Sequence, residues 1–204
     1  MKRALTIQDI RAYKPKTLPF GGEWLDAIGT PELTGSWLIW GRSANGKTHF
    51  ALQLAKYLSN FALVAYDSLE EGLSLSMQHS ISEVGMCDKS RRNFILLDKE
   101  PIADLMKRLK RQRSPKVVII DSLQYTGLSY PDYRLLRDTF RNKLFIFVSH
   151  AEGCEPKGNV AKSIKYDAFV KIHVEGYRAI PQSRYGGGSH YIIWEQGAQQ
   201  YWGE

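Results

Sequence analysis

The run Gly41-Arg42-Ser43-Ala44-Asn45-Gly46-Lys47-Thr48 holds the residue types needed to grip a chain of phosphates. Gly41 and Gly46 free the backbone to turn, so that successive N–H groups point inward at phosphate oxygens. Lys47 is long enough to reach the β- and γ-phosphates, and the Thr48 hydroxyl is a ligand for Mg²⁺. A helix starting at Lys47 adds its positive N-terminal end. The expected binding set is Gly41, Arg42, Ser43, Ala44, Asn45, Gly46, Lys47 and Thr48, with His49 beside it. Asp121 follows the apolar run Val117–Ile120, at the carboxyl end of a buried strand. A carboxylate there can hold Mg²⁺ through water, making Thr48 and Asp121 the expected metal ligands. Taken alone, Asp121 would read equally as a turn or helix-cap aspartate.

Hydrolysis also needs a group to orient the attacking water. Ser122 follows Asp121, so no carboxylate stands next to it. Tyr66-Asp67-Ser68-Leu69-Glu70-Glu71 offers one from the end of another strand. Glu70 and Glu71 also suit the first turn of a helix, where acids complement the dipole.

Positioning these groups takes strands that end in one row. Ser36–Trp40, Phe61–Tyr66, Asn93–Leu97, Val117–Ile120, Leu144–Ser149, Ala168–Val174 and Tyr191–Trp194 read as strands, with a Gly186–Gly188 turn before the last. Ala51, Leu54, Ala55 and Leu58 put an apolar face on a helix over Thr48–Ser59. Helical signals follow over Glu70–Val84, after Pro101 (Ile102, Leu105, Met106, Leu109), and around Tyr133, Leu136 and Phe140. Strands alternating with crossover-length helices predict an α/β fold, a mostly parallel central sheet with helices on both faces. One domain over residues 18–204, preceded by an arm over 1–17, accounts for the chain.

The 204 residues are 43% hydrophobic and 24% charged, which excludes disorder as the main description. The apolar runs are strand-sized, so no membrane span is expected, and the basic N-terminus lacks the apolar stretch of a signal peptide. Cys87 and Cys154 stand in no metal or disulfide pattern, which points to a reducing cytoplasm. The net charge of +7 is concentrated in Lys107–Lys116, which holds six basic residues and no acid. That block is either a solvated helix end or a surface for phosphates or an acidic partner.

With these motifs in order, the chain resembles the RecA-like P-loop ATPases, especially the RadA and DnaB-type helicase branches. GRSANGKT is similar to their Walker A and VVIIDS to their Walker B. SLEE at Ser68–Glu71 resembles the element that carries the catalytic Glu, which falls on Glu70. FIFVSH resembles the strand ending in a γ-phosphate sensor, which implies that role for His150. Gln182-Ser183-Arg184-Tyr185-Gly186 is similar to the late K-x-R-x-G segment that reaches a neighbour's ATP, which implies a trans-acting Arg184, although Gln182 replaces the lysine. The resemblance implies a Mg²⁺-dependent ATPase, with Lys47, Glu70, His150 and Arg184 as catalytic residues and ATP and Mg²⁺ as cofactors. It implies a homo-oligomer with nucleotide near the subunit interface, acting in DNA recombination, replication or strand annealing of a phage or mobile-element type. Single-stranded DNA would be met through Lys107–Lys116 or the Glu152–Lys165 segment. The rival readings are a P-loop small-molecule kinase and a nucleotide-gated binding module that hydrolyses little.

Overall fold

The computed structural model describes residues 3–86 and 92–203. Cys87 and the first two and last residues lie outside the described residues; Cys154 is exposed and free. No helix is long and apolar enough to cross a membrane among the described residues.

The strands are β1 (Gly35–Gly41), β2 (Val64–Ser68), β3 (Phe94–Asp98), β4 (Val117–Asp121), β5 (Leu144–Glu152), β6 (Glu155–Pro156), β7 (Val170–Glu175), β8 (Arg178–Ser183) and β9 (Tyr191–Ile192). Their order in the sheet is β3-β2-β4-β5-β1-β7-β8-β9, with β6 paired to β5. All pairings from β3 through β7 are parallel; β8 and β9 add antiparallel strands beyond β7. The helices are α1 (Ile7–Ala12), α2 (Glu23–Ile28), α3 (Lys47–Leu58), α4 (Leu75–Glu83), α5 (Ile102–Leu109), α6 (Tyr130–Thr139), α7 (Asn159–Asp167) and α8 (Glu195–Trp202).

Alternation within each strand divides the core in two. Trp37, Ile39, Val64, Tyr66, Val117 and Ile119 pack on one face with Phe50, Leu54 and Leu58 of α3 and Met77 of α4. Leu38, Ala65, Val118 and Ile120 pack on the other with Leu105 of α5, Leu136 of α6 and Ile164 of α7. Central strands must be apolar on both sides for this to work, and Val117–Ile120 are completely buried.

The parallel register brings the functional strand ends into one row. Gly41 pairs with His150, Asp121 with Val148, and Ser68 with Asp121. Gly41 itself answers to packing: a side-chain carbon there would lie 2.1 Å from the Val174 carbonyl oxygen of β7.

Several expected boundaries shift for local reasons. The second strand starts at Val64 rather than Phe61, because a turn follows α3. The helix expected over Glu70–Val84 starts only at Leu75. Gly72 takes φ +63° and the Ser74 hydroxyl accepts the Met77 N–H, which makes Ser74 the N-cap and frees Glu70 and Glu71 from the helix. The Glu152–Lys165 segment is a β5–β6 hairpin followed by α7, not a loop. Strand β8 went unread because it contains Pro181. That residue lies past the two residues that β9 covers, where the strand becomes an edge and a proline is tolerated.

One buried acid carries a measurable cost. Asp67 is fully buried, its Oδ1 accepts the Glu100 N–H at 3.0 Å, and its Oδ2 has no hydrogen-bond partner among the described residues. Burial pushes its carboxyl up to about 7, with Glu100 and Asp98 adding to the rise against the Glu100 N–H and Arg108. The folded state therefore holds this proton more tightly than the unfolded chain, and stability falls as pH rises from the ordinary carboxylate range to about 7. Asp67→Asn should match the parent near pH 4 and be more stable at pH 8 by about 2–4 kcal/mol. Urea unfolding at both pH values checks this; a stability difference independent of pH would show that the carboxyl titrates alike in the folded and unfolded chain.

Candidate nucleotide site

The loop between β1 and α3 is held in shape by its own polar groups. Ala44 takes φ +60° and Gly46 φ +90°, the left-handed backbone that lets the loop curl back. The Asn45 side chain accepts the Gly176 N–H at 2.7 Å and donates to the Ser43 carbonyl at 2.9 Å, tying the loop to the β7–β8 turn. Lys47 Nζ donates to the Arg42 carbonyl at 2.7 Å. Burial lowers the Lys47 ammonium below the ordinary lysine range, against the pull of Asp121 and Glu70.

Asp121 is 6% exposed at the end of β4. The Tyr66 hydroxyl donates to its Oδ2 at 2.5 Å, and the Thr48 side chain also hydrogen-bonds to it. Burial pushes its carboxyl up to about 6; the Tyr66 and Thr48 bonds oppose the rise, while Glu70 and Glu71 add to it. The Asp121 carbonyl accepts the N–H groups of Leu69 at 2.6 Å and Glu70 at 3.2 Å. Asp98 Oδ1 accepts the Leu73 N–H at 2.9 Å. The Ser68–Leu73 turn is thus pinned at both ends, which fixes where Glu70 projects.

Glu70 meets His150 and Ser122 at the row of strand ends. His150 Nε2 lies 3.0 Å from Glu70 Oε2, and the Ser122 hydroxyl donates to the same oxygen at 3.1 Å. Partial burial pushes the Glu70 carboxyl up, but His150, Ser122 and Lys47 outweigh it and hold it below the usual carboxylate range. His150 is itself placed by Gln124, whose Oε1 accepts the His150 N–H at 3.1 Å while its Nε2 donates to Ser149 Oγ at 2.8 Å. Glu71 does not join this group: its Oε2 is buried with no hydrogen-bond partner among the described residues, and its charge acts on Asp121 and Tyr66.

These groups suit a hard divalent cation. The Thr48 hydroxyl, the Asp121 carboxylate and the orphaned Glu71 oxygen are all oxygen donors. No three His, Cys, Asp or Glu side chains gather into a metal cage among the described residues. An ion there would take its other ligands from phosphate and water, as Mg²⁺ does in phosphoryl-transfer sites.

Past Gly46 and His49 opens a cleft of about 510 Å³, lined also by Glu83, Tyr177, Ile193 and Trp194. Tyr177 and Trp194 meet edge to face at 5.0 Å. Sequence reasoning missed this cleft, Tyr66 and Gln124. The first depends on the unread β7–β8 turn; the other two act through tertiary contacts that no spacing encodes.

Arg184 does not join the site of its own chain. Strand β8 runs antiparallel to β7, so Ser183 pairs with Val170 at the end of the sheet away from the Gly41–Val174 pair. There the Arg184 guanidinium lies 5.0 Å from the centre of the Phe169 ring. Of the basic block, the residues that lead into β4 lie at that end, since Lys116 directly precedes the strand. Within it Lys107 pairs with Asp104 and Arg108 with Glu100, each at 2.8 Å or less. In the Glu152–Lys165 segment, Lys165 pairs with Glu155 and lies 4.7 Å from the centre of the Trp40 ring, leaving Lys157 and Lys162 exposed.

No family model and no curated protein matches the sequence. Solved structures match the fold. The flagellar accessory protein FlaH from Methanocaldococcus jannaschii superposes with a TM-score of 0.62 and 16% identity, over 88% of this chain and 95% of that one. A second solved structure, an ATPase domain, superposes with a TM-score of 0.54 and 17% identity, over 77% of this chain and 80% of that one. The chain has the fold of the RecA-like P-loop ATPases.

Proposed function

We propose that this chain binds Mg·ATP in the Gly41–Thr48 loop and hydrolyses it. The observation that carries the reading is the Glu70 carboxylate, held ionised by His150 and Ser122 at the strand-end row and acting on the ammonium of Lys47. Lys47 and the loop N–H groups would hold the phosphates, and Thr48 and Asp121 the metal. When bound, Mg²⁺ would neutralise phosphate charge. Glu70 would orient water, His150 would report on the γ-phosphate, and the base would extend into the cleft beside Tyr177 and Trp194. A kinase would need an acceptor hydroxyl where Glu70, Ser122 and His150 bond one another, which disfavours that reading. Resemblance and the basic charge support a setting in DNA recombination, replication or strand annealing.

Within one chain, the Lys47 ammonium feels the charges of Asp121 and Glu70. A guanidinium from a second copy would stabilise charge developing on the transferred phosphoryl group; Arg184, at the far end of its own sheet, would reach a nucleotide only as part of such a second copy. Turnover of Mg·ATP per subunit should therefore rise with protein concentration. Arg184→Ala and Lys47→Ala subunits should be nearly inactive alone and recover activity when mixed. A monomer with concentration-independent turnover would remove Arg184 from the site, and a wild-type protein with no turnover at any concentration would remove the ATPase reading itself.

A further inference from the structure

The sheet edge opposite the nucleotide loop carries a basic ridge. Strands β3, β2, β4 and β5 start in one row, Phe94 against Val64, Val64 against Val117, and Val117 against Leu144. The residues just before these starts include Arg92, Lys116, Arg141 and Lys143, and the end of α5 feeds Lys110, Arg111 and Arg113 into the same edge. At the usual strand spacing, the row from β3 to β5 spans about 15 Å. On and beside α5 and α6, Asp104 is already engaged by Lys107, Glu100 by Arg108 and Asp138 by Arg137. Lys110, Arg111 and Arg113 are exposed and have no ion-pair partner among the described residues.

The turn that presents them is braced from below. Lys143 is buried, and its ammonium donates to the Ser114 hydroxyl at 2.9 Å and the Pro115 carbonyl at 2.6 Å. Burial, with Lys116 nearby, lowers its pKa to about 8, so a buried cation with no acid partner among the described residues sits under the exposed ones. None of the exposed large hydrophobic side chains among the described residues falls within 92–116 or 140–144. A protein interface or a lipid surface would want apolar anchors there; a polyanion needs only charge.

We propose that this ridge, with Lys110, Arg111 and Arg113 as its contacts, binds the sugar–phosphate backbone of a nucleic acid at the sheet edge opposite the nucleotide loop. This deepens the DNA setting proposed above and does not depend on hydrolysis. The five residues of β4 separate Lys116 from Asp121 by about 16 Å, so the two sites can be occupied together.

The test is titration of labelled single-stranded and duplex oligonucleotides, without nucleotide, between about 50 and 200 mM salt. The parent protein should bind with an affinity that falls steeply with salt. The triple variant Lys110→Ala, Arg111→Ala, Arg113→Ala should bind at least about tenfold more weakly at low salt, with a log–log slope smaller by about 2 for the single strand. Its basal Mg·ATP turnover should be unchanged. Lys47→Ala should lose turnover and keep oligonucleotide binding, so failure of the ATPase reading is seen separately. No salt-dependent binding to either oligonucleotide, an unchanged slope in the triple variant, or binding to polyglutamate or anionic vesicles in place of oligonucleotides would overturn the proposal.

Discussion

Lys47→Ala should lower Mg·ATP turnover by at least about 10²–10³-fold and leave the melting temperature of the protein close to that of the parent. Among the described residues the ammonium makes one hydrogen bond, to the Arg42 carbonyl of its own loop, and no residue of the core cluster bonds to it. Alanine is a better helix former than lysine at the first position of α3, so the helix start should survive. The lost charge is one that would meet phosphate oxygens most strongly as they gain charge in the transition state, which is where a single removed donor costs most. Phosphate release measured beside thermal unfolding by circular dichroism separates loss of function from loss of fold. A variant that folds normally and retains parental turnover would mean that the Gly41–Thr48 loop does not hold the reacting nucleotide.

The parallel core was legible because central strands must be apolar on both faces. Val117–Ile120 and Leu144–Val148 carry that signature unambiguously, and the alternation with helices then leaves few ways to connect them. The region after β7 was harder to read. Strand β8 mixes exposed and buried positions around Pro181, and α8 contains Gly197, whose missing side chain is required by the Trp194 and Tyr177 rings packed within 2.7 Å of where it would stand. Those residues look like breakers locally and make sense only in contact. The first residues show the same limit: α1 is set by a capping box of Thr6 and Asp9, a local device that a periodicity reading over six residues does not reveal.

The site divides in the same way. Its phosphate loop is contiguous in sequence and was visible from residue types alone. Glu70 came from resemblance, and its neighbourhood was invisible: the Ser122, His150 and Gln124 contacts span 26 to 80 residues of chain. The basic block was visible as composition, yet composition could not separate Arg108, bound to Glu100, from Arg111 and Arg113, which face solvent. Substituting all three arginines together would therefore mix loss of a structural ion pair with loss of a surface charge.

Glu70→Gln should reduce kcat by about 10²-fold or more while nucleotide binding persists. Glutamine keeps the shape and can still accept the Ser122 hydroxyl, so the turn pinned by the Asp121 carbonyl should hold. What disappears is the negative charge beside His150 and Lys47 that would draw a proton from the attacking water. Because His150, Ser122 and Lys47 hold the Glu70 carboxyl below the usual carboxylate range, it stays ionised throughout neutral pH. Any acid limb that it contributes to the kcat profile should lie below that range and be absent from the glutamine variant. Glu71→Gln supplies the contrast. Its buried oxygen acts on Asp121 and Tyr66 rather than on His150, so it should lower kcat far less and should shift the Mg²⁺ concentration needed for turnover. Single-turnover hydrolysis and nucleotide affinity, measured for both variants across Mg²⁺ concentration, separate the two roles. Normal hydrolysis by Glu70→Gln together with its loss in Glu71→Gln would move the water-orienting role one residue along the chain, to the carboxylate with the orphaned oxygen.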